Sequence, residues 1–126
     1  TAAAAGVDLV ALTPGTVDPT NPKVLRAGMG AHFRVPVHTV TWADLRIRYP
    51  SHAVYIADMD GARPYDAVDW TRPALLVVGG EAHGASADAR ELPHISLRIP
   101  MVNGAESLNA AVAASLLIYA ARRHAL

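Results

Sequence analysis

A glycine-rich stretch, Gly79-Gly80-Glu81-Ala82-His83-Gly84, carries a single carboxylate, and a polar cluster, Asn103-Gly104-Ala105-Glu106-Ser107-Leu108-Asn109, precedes a long apolar run. These two places hold the densest potential chemistry in the chain. A carboxylate on a glycine loop is costly to bury without a partner, so Glu81 either faces solvent or meets a ligand or an arginine. The glycines allow a ligand to approach the backbone closely, and equally suit a tight strand-to-helix turn. The loop is not a phosphate-binding loop of the Gly-Lys-Ser/Thr type, and its spacing fails the dinucleotide fingerprint. Ser107 reads as a helix N-cap with Asn109 in the first turn, yet Asn109 is a mediocre helix former whose presence a cap alone does not explain.

Other candidates are weaker. Arg26 precedes Gly28-Met29-Gly30 and lies near Arg34, a pair that could take phosphate or simply form a solvated helix face. The six His are scattered without metal-ligand spacing and there is no Cys, so no metal site is expected. No G-x-S-x-G elbow is present, which argues against a hydrolase triad.

The elements that must position these groups follow from the apolar pattern. Val7–Leu12, Val35–His38, Ala53–Ala57, Pro73–Val78 and His94–Ile99 read as strands. Pro73–Val78 is continuously apolar, as in a parallel strand buried on both faces. Helices are expected over Lys23–Ala31 after the Asn21-Pro22 start, over Trp42–Tyr49 after Thr41, over Ser86–Leu92, and over Ser107–His124. Strands alternating with helices define an α/β fold with a mostly parallel sheet flanked by helices. The 126 residues suit one domain, 1–126.

The formal charge is zero, with eleven basic and eleven acidic residues, which argues against a strongly basic nucleic-acid module. Ten of the eleven basic residues are Arg, with Lys23 the lone Lys. Codon bias explains this as well as selection for phosphate binding. The run Ala110–Ala121, broken only by Ser115, is too short to span a membrane, which takes about 20 apolar residues. No signal-peptide pattern opens the chain, so a cytoplasmic protein is the expectation. A helix apolar all round is buried all round, so one face of this run should meet a second copy of the chain.

Four segments, TAAAAGVDLVAL, PKVLRAGMGAHFRVPV, LLVVGGEAHGAS and IPMVNGAESLNAAVAASLLIYAARR, together resemble the SpoU/TrmH family of the SPOUT superfamily, RNA ribose 2′-O-methyltransferases. The resemblance covers nearly the whole chain, and its last two segments match the family's second and third motifs. It implies an α/β-knot fold with a deep C-terminal trefoil knot, a homodimer formed through the knot and C-terminal helix, S-adenosylmethionine as cofactor, and rRNA or tRNA as substrate. Carried over, Gly79, Ile99, Met101 and Leu108 hold the cofactor through backbone groups. Glu81, Ser107 and Asn109 are the catalytic positions, and Arg26 binds substrate. Gly80 stands where the family commonly has Asn, Ala82 where it has Gly, and Gly28 where Ser is usual. The family's first motif, with the Arg assigned to activating the ribose hydroxyl, would precede Thr1, so the domain is expected to be N-terminally incomplete, with its first strand missing. A non-catalytic knotted dimerisation or RNA-binding module, and a knotted enzyme acting on a base, are the alternatives.

Overall fold

The computed structural model describes residues 1–124. The chain divides into two compact units, Thr1–Arg48 and the remainder from Tyr49.

In the first unit, helix α1 (Ala2–Ala5) ends at Gly6, whose left-handed backbone lets its N–H close the last turn. Strand β1 (Val10–Leu12) pairs in parallel with β2 (Val37–Thr39). Between them, α2 (Pro22–Gly28) starts at Asn21, whose side chain accepts the Lys23 N–H, with proline at the first helical position. The helix is shorter than the expected Lys23–Ala31. Met29 and Gly30 both adopt positive φ, 49° and 80°, which ends α2 and sends the chain into a 3-10 turn over Ala31–Phe33. Helix α3 (Trp42–Arg48) opens with a reciprocal cap: the Thr41 hydroxyl accepts the Asp44 N–H, and the Asp44 carboxylate accepts the Thr41 N–H.

The second unit is a four-stranded sheet in which every pair is parallel. Its strands are β3 (Ala53–Ala57), β4 (Arg63–Pro64), β5 (Ala74–Val77) and β6 (Ile95–Arg98), in the order β4-β6-β3-β5. The expectation of a mostly parallel α/β architecture holds. The expectation that β5 is buried on both faces does not: all four of its residues are half-buried, because it pairs with β3 alone and ends the order of this sheet. Helix α4 (Ala87–Arg90) is capped by the Ser86 hydroxyl. The core forms around Tyr55, Trp70 and Leu97, with the two rings 4.8 Å apart. Their polar tips are satisfied: the Tyr55 hydroxyl donates to the Asp69 carbonyl and the Trp70 indole to the Tyr65 carbonyl, each at 2.8 Å. Helix α5 (Ala110–Arg123) contributes Leu117, 1% exposed, and packs Ala120 and Ala121 against the core cluster.

Candidate active site

Three parallel strands deliver their carboxyl ends to one cleft. Ala57 ends β3 and Asp58-Met59 follow it, Val78-Gly79-Gly80 follow β5, and Ile99 and Met101 follow β6; Ser107 to Ala110 complete the wall with Leu117 of α5. Its volume is about 610 Å³, within the range for small-molecule sites. Ligands bind at strand carboxyl ends in open α/β sheets, because there the loops diverge and leave backbone groups unspent.

The glycine loop is closed on itself. The Gly80 N–H donates to the Gly84 carbonyl at 3.2 Å and the Gly84 N–H to the Gly80 carbonyl at 2.9 Å. A Cβ at Gly79 would collide with the backbone of Gly84 and Ala85, whereas one at Gly80 would meet nothing within 4 Å. Glycine is therefore required at 79 by the loop's own backbone. The exposed Glu81 lies within this ring.

The start of α5 differs from the expected one. Ser107 is not the N-cap: the helix begins at Ala110, and Asn109 caps it, its Oδ1 accepting the N–H groups of Ala111 and Val112 at 3.0 and 3.3 Å. Serine and asparagine cap equally well, but asparagine keeps an NH₂ in hand. Here Asn109 Nδ2 donates to Glu81 Oε1 at 2.7 Å. The partner of Glu81 is thus a neutral amide. Ser107 and Leu108 line the cleft from an extended segment, both exposed. Upstream, Asn103 and Gly104 take φ of 56° and 72°, and the Ala105 N–H returns to the Val102 carbonyl, so the chain turns here.

Two cleft residues escaped the sequence reading. Asp58 and Arg90 form an ion pair at 2.9 Å, the arginine side chain 41% and the aspartate 19% exposed. The Asp60 N–H, and after it the Arg90 guanidinium, hold the Asp58 carboxyl below the usual carboxylate range against partial desolvation. The place of Asp58, the first residue after a parallel strand, was the available signal. Arg26 lies elsewhere, exposed on the last turn of α2 in the first unit. Among the described residues no cluster of three or more acidic or His side chains could hold a metal.

A parallel sheet whose strand ends, glycine ring and capped helix share one cleft defines an α/β domain with a candidate ligand site. The chain belongs to the SpoU rRNA Methylase family, whose model matches residues 1–119. It is 36% identical to the mouse mitochondrial rRNA methyltransferase 3, over 97% of this chain and 41% of that protein. It is 37% identical to the 23S rRNA (guanosine(2553)-2′-O)-methyltransferase RlmP of Bacillus subtilis, over 94% of this chain and 49% of that one. Among solved structures, the AdoMet-bound rRNA methyltransferase of Sinorhizobium meliloti superposes with a TM-score of 0.86 at 33% identity, covering 99% of this chain and 49% of that chain. The SpoU methyltransferase AviRb of Streptomyces viridochromogenes, in complex with AdoMet, gives 0.87 at 29%, covering 98% and 52%. The chain thus spans less than half the length of the curated relatives it matches.

Proposed function

We propose that this chain is the catalytic part of an RNA 2′-O-methyltransferase that uses S-adenosylmethionine on rRNA or tRNA. The observation that carries this reading is the cleft in which the glycine ring, the segment 99–109 and the Glu81–Asn109 pair converge. The residues fit the cofactor. Val78, Ile99, Met101, Leu108 and Leu117 give the cleft apolar walls. Among the described residues the backbone from Met101 to Leu108 makes one internal hydrogen bond, so its other polar groups are open to solvent or to a ligand. Gly79, Ile99, Met101 and Leu108 would hold the cofactor in this way. When bound, S-adenosylmethionine supplies a methyl group on a sulfonium, ready for in-line attack by an oxygen.

A ribose hydroxyl is a poor nucleophile, so positioning provides much of the rate. Glu81 keeps Oε2 beyond its bond from Asn109 and can accept from a ribose hydroxyl or an arginine. Asn109 fixes that carboxylate, and Ser107 contributes a hydroxyl to the substrate side. Arg26 would take a phosphate next to the target nucleotide. The family resemblance assigns the proton to the Arg of its first motif, which is not among these residues. No metal enters this scheme.

The family model runs through both compact units, which supports reading 1–126 as one catalytic domain of the knotted kind. Val112, Leu116 and Tyr119 of α5 are each 45–48% exposed and border an apolar groove, which favours a homodimer over a lone chain. No described helix is long and apolar enough to cross a membrane. We place its action in the cytoplasm; the mouse relative is by name mitochondrial.

The test is a calorimetric titration of S-adenosylmethionine into the full-length protein, followed by labelled methyl transfer to RNA from cells lacking the gene. One site per chain and 2′-O-methylation of that RNA are expected. A folded protein that binds no cofactor would favour a non-catalytic module, and label on a base would favour the base-directed alternative.

A further inference from the structure

The chain contains one phenylalanine, and it is not in the core. Phe33 is 95% exposed, and nearby in sequence Met29 is 88% exposed. Scattered exposed apolar residues are ordinary, but an aromatic ring and a methionine side chain four residues apart, both left almost wholly in water, can mark a contact with something else. The backbone is shaped to leave it there. Met29 adopts a left-handed conformation that side-chain-bearing residues disfavour, Gly30 follows suit, and the short 3-10 turn over Ala31–Phe33 presents the ring at its end.

The charge around this ring selects its occupant. Between Asp18 and Asp44 there is no acidic residue, while Lys23, Arg26 and Arg34 all fall in that interval and all are exposed. Among the described residues none of the three cations is in an ion pair. Aromatic, Met and Arg residues also enrich protein interfaces, but a stretch with three cations and no carboxylate selects a polyanion. A second copy of the chain is also disfavoured, because a two-fold contact would set these cations against their own images. One exposed aromatic in a stretch with three cations suits single-stranded nucleic acid, in which each base offers a π-face and each linkage a negative charge.

We propose that Phe33 is a stacking platform for an unpaired RNA base, with Arg26 and Arg34 taking the phosphates beside it. This rests on the reading of the protein as an RNA methyltransferase and gives it a substrate preference: the modified RNA presents an unstacked nucleotide as well as the target ribose. The ring selects for an available base face and is tolerant of its identity.

The experiment measures binding of fluorescein-labelled decauridylate to the full-length protein by anisotropy, for Phe33→Ala, Phe33→Leu, Phe33→Tyr, Phe33→Trp and Arg34→Ala. Loss of a stacked base should weaken binding by about 5- to 100-fold in the Ala and Leu variants. Tyr and Trp should bind as the parent does. Arg34→Ala should weaken binding and lower the salt slope by about 1. A parent protein that fails to bind the oligonucleotide overturns the proposal. So does a Leu variant that binds normally, which would indicate apolar contact alone, or an Ala variant whose sedimentation shows a lost subunit contact. S-adenosylmethionine titration of the same variants separates the two readings. Normal cofactor binding without the Phe33 pattern removes only the stacking site. The Phe33 pattern without cofactor binding by the parent removes only the methyl-transfer reading.

Discussion

Asn109 and Glu81, 28 residues apart, are joined by a hydrogen bond of 2.7 Å from the amide NH₂ to Oε1, while the other end of the same amide caps α5. One side chain therefore sets both where the last helix begins and which way the loop carboxylate points. Substitutions at Asn109 should separate these tasks. Asn109→Ala removes both and should cost about 1 kcal/mol of stability, the usual worth of a cap. Asn109→Asp keeps the cap but sets two carboxylates against each other. Its helix content should match the parent, and methyl transfer by the full-length protein should fall at least as far as in Asn109→Ala. Urea unfolding together with transfer assays gives both numbers.

Gly79 and Gly80 are adjacent and should respond differently. Gly79→Ala forces a methyl into the backbone of Gly84 and Ala85, and overpacking of this kind costs about 1–3 kcal/mol or more. Cofactor binding should be lost with it, since the loop forms one wall of the cleft. Gly80→Ala meets open space and should stay within about 0.5 kcal/mol of the parent. Thermal unfolding and cofactor calorimetry on the pair test the closed geometry of the loop.

Among the carboxyls held low in the fold, Asp58 is the one in the cleft, and acid should act there. Its carboxyl titrates below its unfolded value, so the stability it contributes is present above pH about 4 and is lost as pH falls through the lower, folded value. Because the Arg90 side chain is 41% exposed, the pair is worth about 1 kcal/mol at most. Urea midpoints between pH 6 and pH 3 should decline less in Asp58→Asn than in the parent. Parallel declines would assign the acid sensitivity to other carboxylates.

Leu116 and Leu117 are neighbours on α5 with opposite surroundings, 45% and 1% exposed. Leu117→Ala empties a core position and should cost about 2–5 kcal/mol. Leu116→Lys should leave the fold of one chain nearly intact and abolish the proposed dimer, seen as halved mass by sedimentation equilibrium. A Leu116→Lys protein that remains dimeric would place the subunit contact elsewhere.

The sequence made local chemistry legible and left distant pairings obscure. Ala53–Ala57 was readable as a strand because an apolar run stands between turn residues, and Asn21-Pro22 and Thr41 marked helix starts through caps that act within three residues. The start of α5 was misplaced by two residues. Ser107 and Asn109 are equally good caps in isolation, and a partner 28 positions upstream uses the spare donor of Asn109. The exposure of β5 was hidden for a similar reason, since an apolar run does not announce how many neighbours its strand will have. Met29 ended α2 against its own helix preference, with the turn through Gly30 deciding the outcome. Of the candidate site, Gly79, Glu81, Ile99, Met101, Ser107, Leu108 and Asn109 all reach one cleft, while nothing in the sequence linked Asp58 to Arg90, 32 residues on.

The paired bonds between Gly80 and Gly84 also fix a length. Three residues fit between the two glycines, and the ring closes only for that number. Side chains at 82 and 83 are exposed and can vary with little effect on closure, but an inserted or deleted residue would slide one bond past the other and carry Glu81 out of reach of Asn109. Among relatives of this chain, the spacing of the loop should therefore be held more strictly than its composition.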